Sequence, residues 1–181
     1  MSRRPMQDCQ ECGFRYGDLP RAQLSEELRS LAEAYTSPLR EAEEAGLART
    51  RPEPQVWSAL EYTCHVLDVY QAQLVRTRLA VEQDRPDFPP STVSRDERVL
   101  RDRYNERDLE EVLQELAEAG AVTAEMLAGL PPESWDRTGF YHRPDPEERS
   151  VDELARKTMH EAAHHLMDVT RIMATLRARA A

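Results

Sequence analysis

"SVDELARKTMHEAAHHLMDVTRIMATLRA", residues 150–178, decides the fold class. Val151, Leu154, Ala155, Ala162, Val169, Met173 and Leu176 recur with the period of an α-helix and fall on one face of it. Ser150-Val-Asp-Glu153 starts the stretch with a capping box, in which serine and glutamate satisfy each other's free backbone amides. A helix of this length with a single apolar face needs other elements to cover that face.

Three further stretches read as helices. "SALEYTCHVLDVYQAQLVRTRLAV" opens on a second capping box, Ser58 to Glu61, and reads as a helix to about Gln83. "DLEEVLQELAEAGAVTAEMLAGL" reads as a helix from Asp108 to Leu130. A first helix begins after Asp18, with Pro20 tolerated in its first turn, and carries Leu24, Leu28, Leu31 and Ala32 on one face. Pro38 kinks or ends it, and the segment resumes to about Leu47. A short helical turn is expected near Ser94–Glu97. Prolines punctuate the rest: "TRPEPQV" at 50–56, a loop at 86–90, and the long loop "PPESWDRTGFYHRPDPEER" at 131–149. No stretch alternates convincingly as a strand. The expectation is an all-α four-helix bundle over residues 18–181, preceded by a Cys-Xaa-Xaa-Cys head at 1–17.

The chain of 181 residues suits one domain. Its formal net charge of −10 repels phosphate backbones, so nucleic acid is not an expected partner. No apolar run approaches the roughly 20 residues that span a bilayer, and the first residues lack the apolar core of a signal peptide. A cytoplasmic protein without a membrane partner is expected. Cys9, Cys12 and Cys64 make an odd count, which argues against a disulfide framework and leaves ligation, redox chemistry or packing.

Three of the five histidines lie in "HEAAHH", residues 160–165. Side chains four apart on a helix are neighbours, so two pairs interleave: His160/His164 and Glu161/His165. The second pair flanks the apolar face. The first falls with Lys157 and Arg171 on the outer side. A glutamate turned toward a core requires strong hydrogen bonds or a cation, either a metal or an arginine or lysine from another helix. Periodicity does not fix where His65 points.

Two segments resemble the DinB-like superfamily. In "WSALEYTCHVLDV" (57–69), Trp57 is followed by Ser58 and, eight positions after the tryptophan, by His65. In "HEAAHHLMDV" (160–169), Glu161 stands four before His165, which is followed by two residues and then Asp168. The resemblance implies a four-helix bundle in up-down-down-up order, often dimeric, with a divalent metal held by three side chains and open positions. The implied ligands are His65, Glu161 and His165, with His160/His164 as the alternative pair one residue out of register. Zinc is the first expectation for two imidazoles and a carboxylate, with nickel, manganese or iron as alternatives. Asp168 would orient a ligand ring from behind or be an ordinary surface carboxylate. Some members are mycothiol-dependent enzymes. The resemblance therefore implies a metal-dependent transferase of a low-molecular-weight thiol, or a related hydrolase, acting on a small thiol or electrophile. The rival is a non-catalytic metal-binding bundle.

Two groups remain. "CQECGFRY" supplies half of a zinc knuckle, and the outward pair His160 and His164 would complete a Cys2His2 site with Cys9 and Cys12. The other reading of the head is a reduced, unliganded segment. His142 and Arg143, in the loop before the last helix, are candidate substrate contacts. Arg137 in the same loop would either receive an anion or be solvated.

Overall fold

The computed structural model describes residues 5–90, 93–141 and 146–180. His142 and Arg143 lie outside them. Six helical segments follow in order: α1 (Arg21–Glu33), α2 (Thr36–Glu44), α3 (Ala59–Glu82), α4 (Arg95–Arg101), α5 (Leu109–Ala128) and α6 (Val151–Ala180). The capping boxes at Ser58/Glu61 and Ser94/Glu97 are both formed. Ser150 and Glu153 exchange the same bonds at the start of α6. Asp108 accepts from the Glu111 amide at the start of α5. The break between α1 and α2 falls at Ala34 and Tyr35. Pro38 has no amide to offer the Ala34 carbonyl, so the hydrogen-bond ladder lapses just upstream of it.

α1, α3, α5 and α6 form the bundle, α1 and α3 each packing against both α5 and α6. Contacts at the helix ends give their directions. Arg21 at the start of α1 bonds Asp152 at the start of α6, so these two run parallel. Arg137, whose carbonyl accepts from the Val151 amide at the start of α6, donates to the carbonyls of Ala80 and Gln83 at the end of α3, which makes α3 antiparallel to α6. Ser58, capping α3, bonds Asn105 shortly before α5, so α3 and α5 are parallel. The order is up-down-down-up. Parallel α3 and α5 require a connection that returns the length of the bundle, and α4 lies in it.

Leu24, Leu28, Leu39, Leu60, Leu67, Leu116 and Leu154 are fully buried in the core. Two tyrosines tie helices together through backbone carbonyls: Tyr35 donates to Ala162 at 2.6 Å and Tyr70 to Leu28 at 2.7 Å. α1 and α5 approach so closely at Gly120 that a Cβ there would lie 2.5 Å from the Ala32 Cβ. No helix among the described residues is long and apolar enough to cross a membrane.

The long loop before α6 departs from the sequence expectation. It contains a 3-10 turn at Pro132–Asp136 and a two-stranded antiparallel ribbon, β1 (Thr138–Tyr141) with β2 (Glu147–Ser150). Four-residue strands are too short for alternation to register. Their stability is tertiary. Phe140 exchanges backbone bonds with Pro86 and Phe88, and the Phe88 ring lies where a side chain at Gly139 would stand. Arg137 in this loop is half-buried and donates to the free carbonyls that end α3.

Candidate metal centre

α3 and α6 run antiparallel, and this brings His65 opposite Glu161 and His165. Glu161 Oε2 lies 3.6 Å from His65 Nε2 and 3.5 Å from His165 Nε2. These separations are long for a direct hydrogen bond, which prefers about 2.8 Å. They match the spacing of about 3.4 Å expected between ligand atoms that share one tetrahedral ion with bonds near 2.1 Å. One donor atom from each of the three residues can be chosen with all within 4.8 Å. His65 Nε2 is buried with no hydrogen-bond partner. An orphaned buried nitrogen aimed at a carboxylate is what a ligand set without its ion leaves behind. The donor set therefore fits a divalent cation. His160 and His164, the alternative pair, lie on the other side of α6 and do not join His65.

The surroundings fix the ring positions. His165 Nδ1 donates to Asp168 Oδ2 at 2.9 Å, which leaves Nε2 as the lone pair facing Glu161. Asp168 thus sits behind a candidate ligand and is not an ordinary surface carboxylate. Trp57 stacks edge-on against His65 at 5.3 Å, held by its indole N–H on Asp96, and Tyr62 lies 5.1 Å from His165. Burial penalises the charged form of His65 and pushes its pKa down, more than the Glu161 carboxylate restores. Burial acts the same way on His165, but the carboxylates of Asp168 and Glu161 outweigh it and raise its pKa. Burial alone would raise the Glu161 carboxyl. The facing imidazoles and Arg95 overcome that and hold it far below the usual carboxylate range.

His65 and Glu161 line a cavity of about 630 Å³ between α3, α6, β1 and the crossover segment. Arg76, Arg95, Arg98 and Lys157 line it, against the carboxylates Asp68 and Glu161. The wall is therefore locally cationic in a chain of net charge −10. Arg95 lies 3.4 Å from Glu161, and Arg98 3.1 Å from Asp68, which also accepts from the Tyr104 hydroxyl. Arg76 lies over the Tyr141 ring at 4.8 Å. Sequence pattern missed this lining. Lys157 was expected on the outer side beside His160, yet it lines the cavity together with Glu161, one turn along α6. Arg76, Arg95 and Arg98 are indistinguishable in the sequence from the chain's other exposed arginines. The loop fold alone brings Tyr141 to them.

His160 and His164 point away from the core but are not solvated. The N-terminal head lies over them. Cys9 Sγ is 3.6 Å from His164 Nδ1, the Tyr16 hydroxyl is 2.7 Å from His160 Nδ1, and Phe14 stacks on His160 at 5.2 Å. Backbone amides at Cys12 and Glu11 directed at the Cys9 sulfur lower its pKa to about 7, whereas desolvation raises Cys12. Cys64 is fully buried, and burial pushes its thiol up to about 12, as expected of a packing residue.

Comparison with known proteins agrees with this architecture. No curated protein matches the chain. Among solved structures, YfiT from Bacillus subtilis, described as a probable metal-dependent hydrolase with an unusual four-helix bundle topology, superposes with a TM-score of 0.68 over 87% of this chain and 91% of that one, at 16% identity. At that identity the likeness concerns the fold. The model of the DinB superfamily matches residues 24–169, which include both signature segments up to Val169, and the chain belongs to that superfamily.

Proposed function

We propose that the protein is a metal-dependent enzyme that uses His65, Glu161 and His165 as ligands and acts on a small anionic substrate bound in the adjoining cavity. One observation carries the reading: the buried, unpartnered His65 Nε2 stands at ligand spacing from Glu161 on the wall of that cavity. A divalent ion held there would supply Lewis acidity, polarising a carbonyl or phosphoryl oxygen and acidifying water or a thiol.

The chain's own groups supply the remainder. Asp168 keeps His165 in the tautomer that presents Nε2. Trp57 and Tyr62 cover the imidazoles and exclude water from their outer faces. Arg76, Arg95, Arg98 and Lys157 outnumber Asp68 and Glu161 around the cavity and favour a carboxylate- or phosphate-bearing molecule. Three protein ligands leave a position open, the arrangement of catalytic rather than structural sites.

Hydrolysis is the preferred reaction class, and the described activity of YfiT agrees with it. The test is metal analysis of wild type and His65→Ala, followed by assay of both against anionic esters, amides and phosphoesters with and without low-molecular-weight thiols. Activity in the metal-loaded wild type, absent from His65→Ala, supports the reading. Turnover only in the presence of a thiol such as mycothiol would move the assignment to thiol transfer. Equal metal content in the two proteins would overturn the ligand assignment. The rival, a non-catalytic bundle, predicts that stripping the metal unfolds the chain rather than silencing it.

A further inference from the structure

We propose that Cys9, Cys12, His160 and His164 form a second metal site, a closed Cys2His2 zinc centre that clamps the N-terminal head onto α6. This inference does not rest on the proposed function. It uses the other face of the helix and none of the three inner residues.

Four observations converge. First, one donor atom from each residue can be chosen so that all four lie within 4.8 Å of one another. The 3.6 Å between Cys9 Sγ and His164 Nδ1 matches the separation of about 3.5 Å for a sulfur and a nitrogen at 2.3 and 2.05 Å from one tetrahedral zinc.

Second, the Cys-Xaa-Xaa-Cys-Gly segment already has the form of a ligand loop. The Gly13 amide donates to the Cys9 carbonyl at 3.0 Å, and the Cys9 amide to the Phe14 carbonyl at 2.9 Å. Gly13 turns the chain with φ +73°, a left-handed conformation that glycine adopts without strain. Amides at Glu11 and Cys12 face the Cys9 sulfur.

Third, each histidine has a polar group facing its second ring nitrogen. The Tyr16 hydroxyl occupies His160 Nδ1, while His160 Nε2 is buried without any hydrogen-bond partner. His164 presents Nδ1 to Cys9, and its Nε2 faces the carboxylates of Glu11 and Asp168, each at 3.7 Å. Carboxylates behind ligand imidazoles are the usual support of a metal site.

Fourth, residues 5–20 contain neither helix nor strand, and the head buries little of its own beyond Phe14 and Leu19 packed against the core. Arg156 donates to the Tyr16 and Leu19 carbonyls, and Arg171 pairs with Glu11. A metal ion would fix Cys9 and Cys12 in a segment that these contacts otherwise hold through Glu11, Tyr16 and Leu19. Two thiolates and two imidazoles select zinc over harder cations and leave no position for substrate.

The experiment uses the full chain. Metal analysis after gentle purification should find about two equivalents in wild type and about one in both Cys9→Ala/Cys12→Ala and His65→Ala. Cobalt replacing zinc reports on sulfur directly. Wild type and His65→Ala should both show a sulfur-to-cobalt charge-transfer band, and the double cysteine variant should not. If the cysteine variant does not fold, the cobalt spectra of the other two proteins still decide. Cobalt-loaded wild type without that band overturns the proposal. So does metal content unchanged by loss of both cysteines. Loss of the inner ion alone, in His65→Ala, leaves this band in place, so failure of the proposed function and failure of this inference give different spectra.

Discussion

Asp168→Ala, made in the Cys9→Ala/Cys12→Ala background so that only the inner ligand set remains, should weaken metal binding without touching a ligand. Asp168 Oδ2 lies 2.9 Å from His165 Nδ1, and the carboxylate side chain is 13% exposed, so water replaces it poorly. Removing such an orienting partner costs about 10–100-fold in metal affinity. With zinc near a hundred times the parent's dissociation constant, binding stabilises the parent by about 2.7 kcal/mol. The same zinc concentration is then only about ten times the variant's constant, or about equal to it. The stabilisation falls to about 1.4 or about 0.4 kcal/mol. For a chain of this size each kcal/mol moves Tm by about 2–4 °C, so the zinc-induced shift should shrink by roughly 3–9 °C. Thermal melts with and without zinc read this directly, and competition with a chromophoric chelator gives the affinity itself. The comparison is of shifts, so any change in metal-free stability cancels. An unchanged dissociation constant would refute the claim that the 165–168 contact prepares the site.

Three further outcomes follow from packing and charge. Gly120→Ala should destabilise by about 1–3 kcal/mol, because the added methyl meets Ala32 at 2.5 Å and this outweighs a helix-propensity gain of about 1 kcal/mol; urea melts should show rescue by Ala32→Gly in the same chain, and net stabilisation of the single variant would contradict the α1–α5 approach. Arg51→Ala should cost about 3 kcal/mol, since it strips the bidentate partner at 2.6 and 2.7 Å from Glu61, which is only 3% exposed; a loss below about 1 kcal/mol would mean that the carboxylate finds water or becomes protonated. Arg76→Ala should raise KM for an anionic substrate and leave kcat nearly unchanged, and added salt should do the same to wild type; a fall in kcat at constant KM would place Arg76 in the chemistry instead.

The bundle was legible in the sequence because each of its long helices carries its own period and stop signals. Ser58, Ser94, Asp108 and Ser150 cap where the pattern begins, and Pro38 breaks the first helix where its missing amide is felt. The inner pair was legible for the same reason: Glu161 and His165 flank the apolar stripe, and an i,i+4 pair needs no tertiary knowledge to be placed. His65 was not legible from periodicity, because α3 is apolar on most sides and offers no single inward direction. Only resemblance singled it out, through its spacing from Trp57. The ribbon at 138–150 was missed because its strands are held by Pro86 and Phe88, some fifty residues away, and no local pattern encodes that contact. The cationic cavity was missed for a related reason. Arg76, Arg95 and Lys157 come from three different helices, and each is an ordinary charged residue until the crossover brings α4 over α3.

On these two proposals, α6 would serve two coordination chemistries at once. Residues one apart are turned by about 100°, so the two i,i+4 pairs point in different directions, with His164 and His165 both in reach of Asp168. Glu161/His165 meets α3 and offers an oxygen and a nitrogen beside a cavity. His160/His164 meets the head and offers two nitrogens to two sulfurs. With ions bound as proposed, the harder set would keep a coordination position open to substrate and the softer set would be closed. Asp168 lies behind both, 2.9 Å from His165 Nδ1 and 3.7 Å from His164 Nε2. Any movement of the head that shifts His164 therefore competes for the carboxylate that orients His165. The two sites are adjacent through a single side chain, and the Asp168→Ala comparison, repeated with both cysteines intact, measures how much of the inner affinity the head contributes: a larger loss than in the cysteine-free background means that the sites are coupled, and an equal loss means that α6 insulates them.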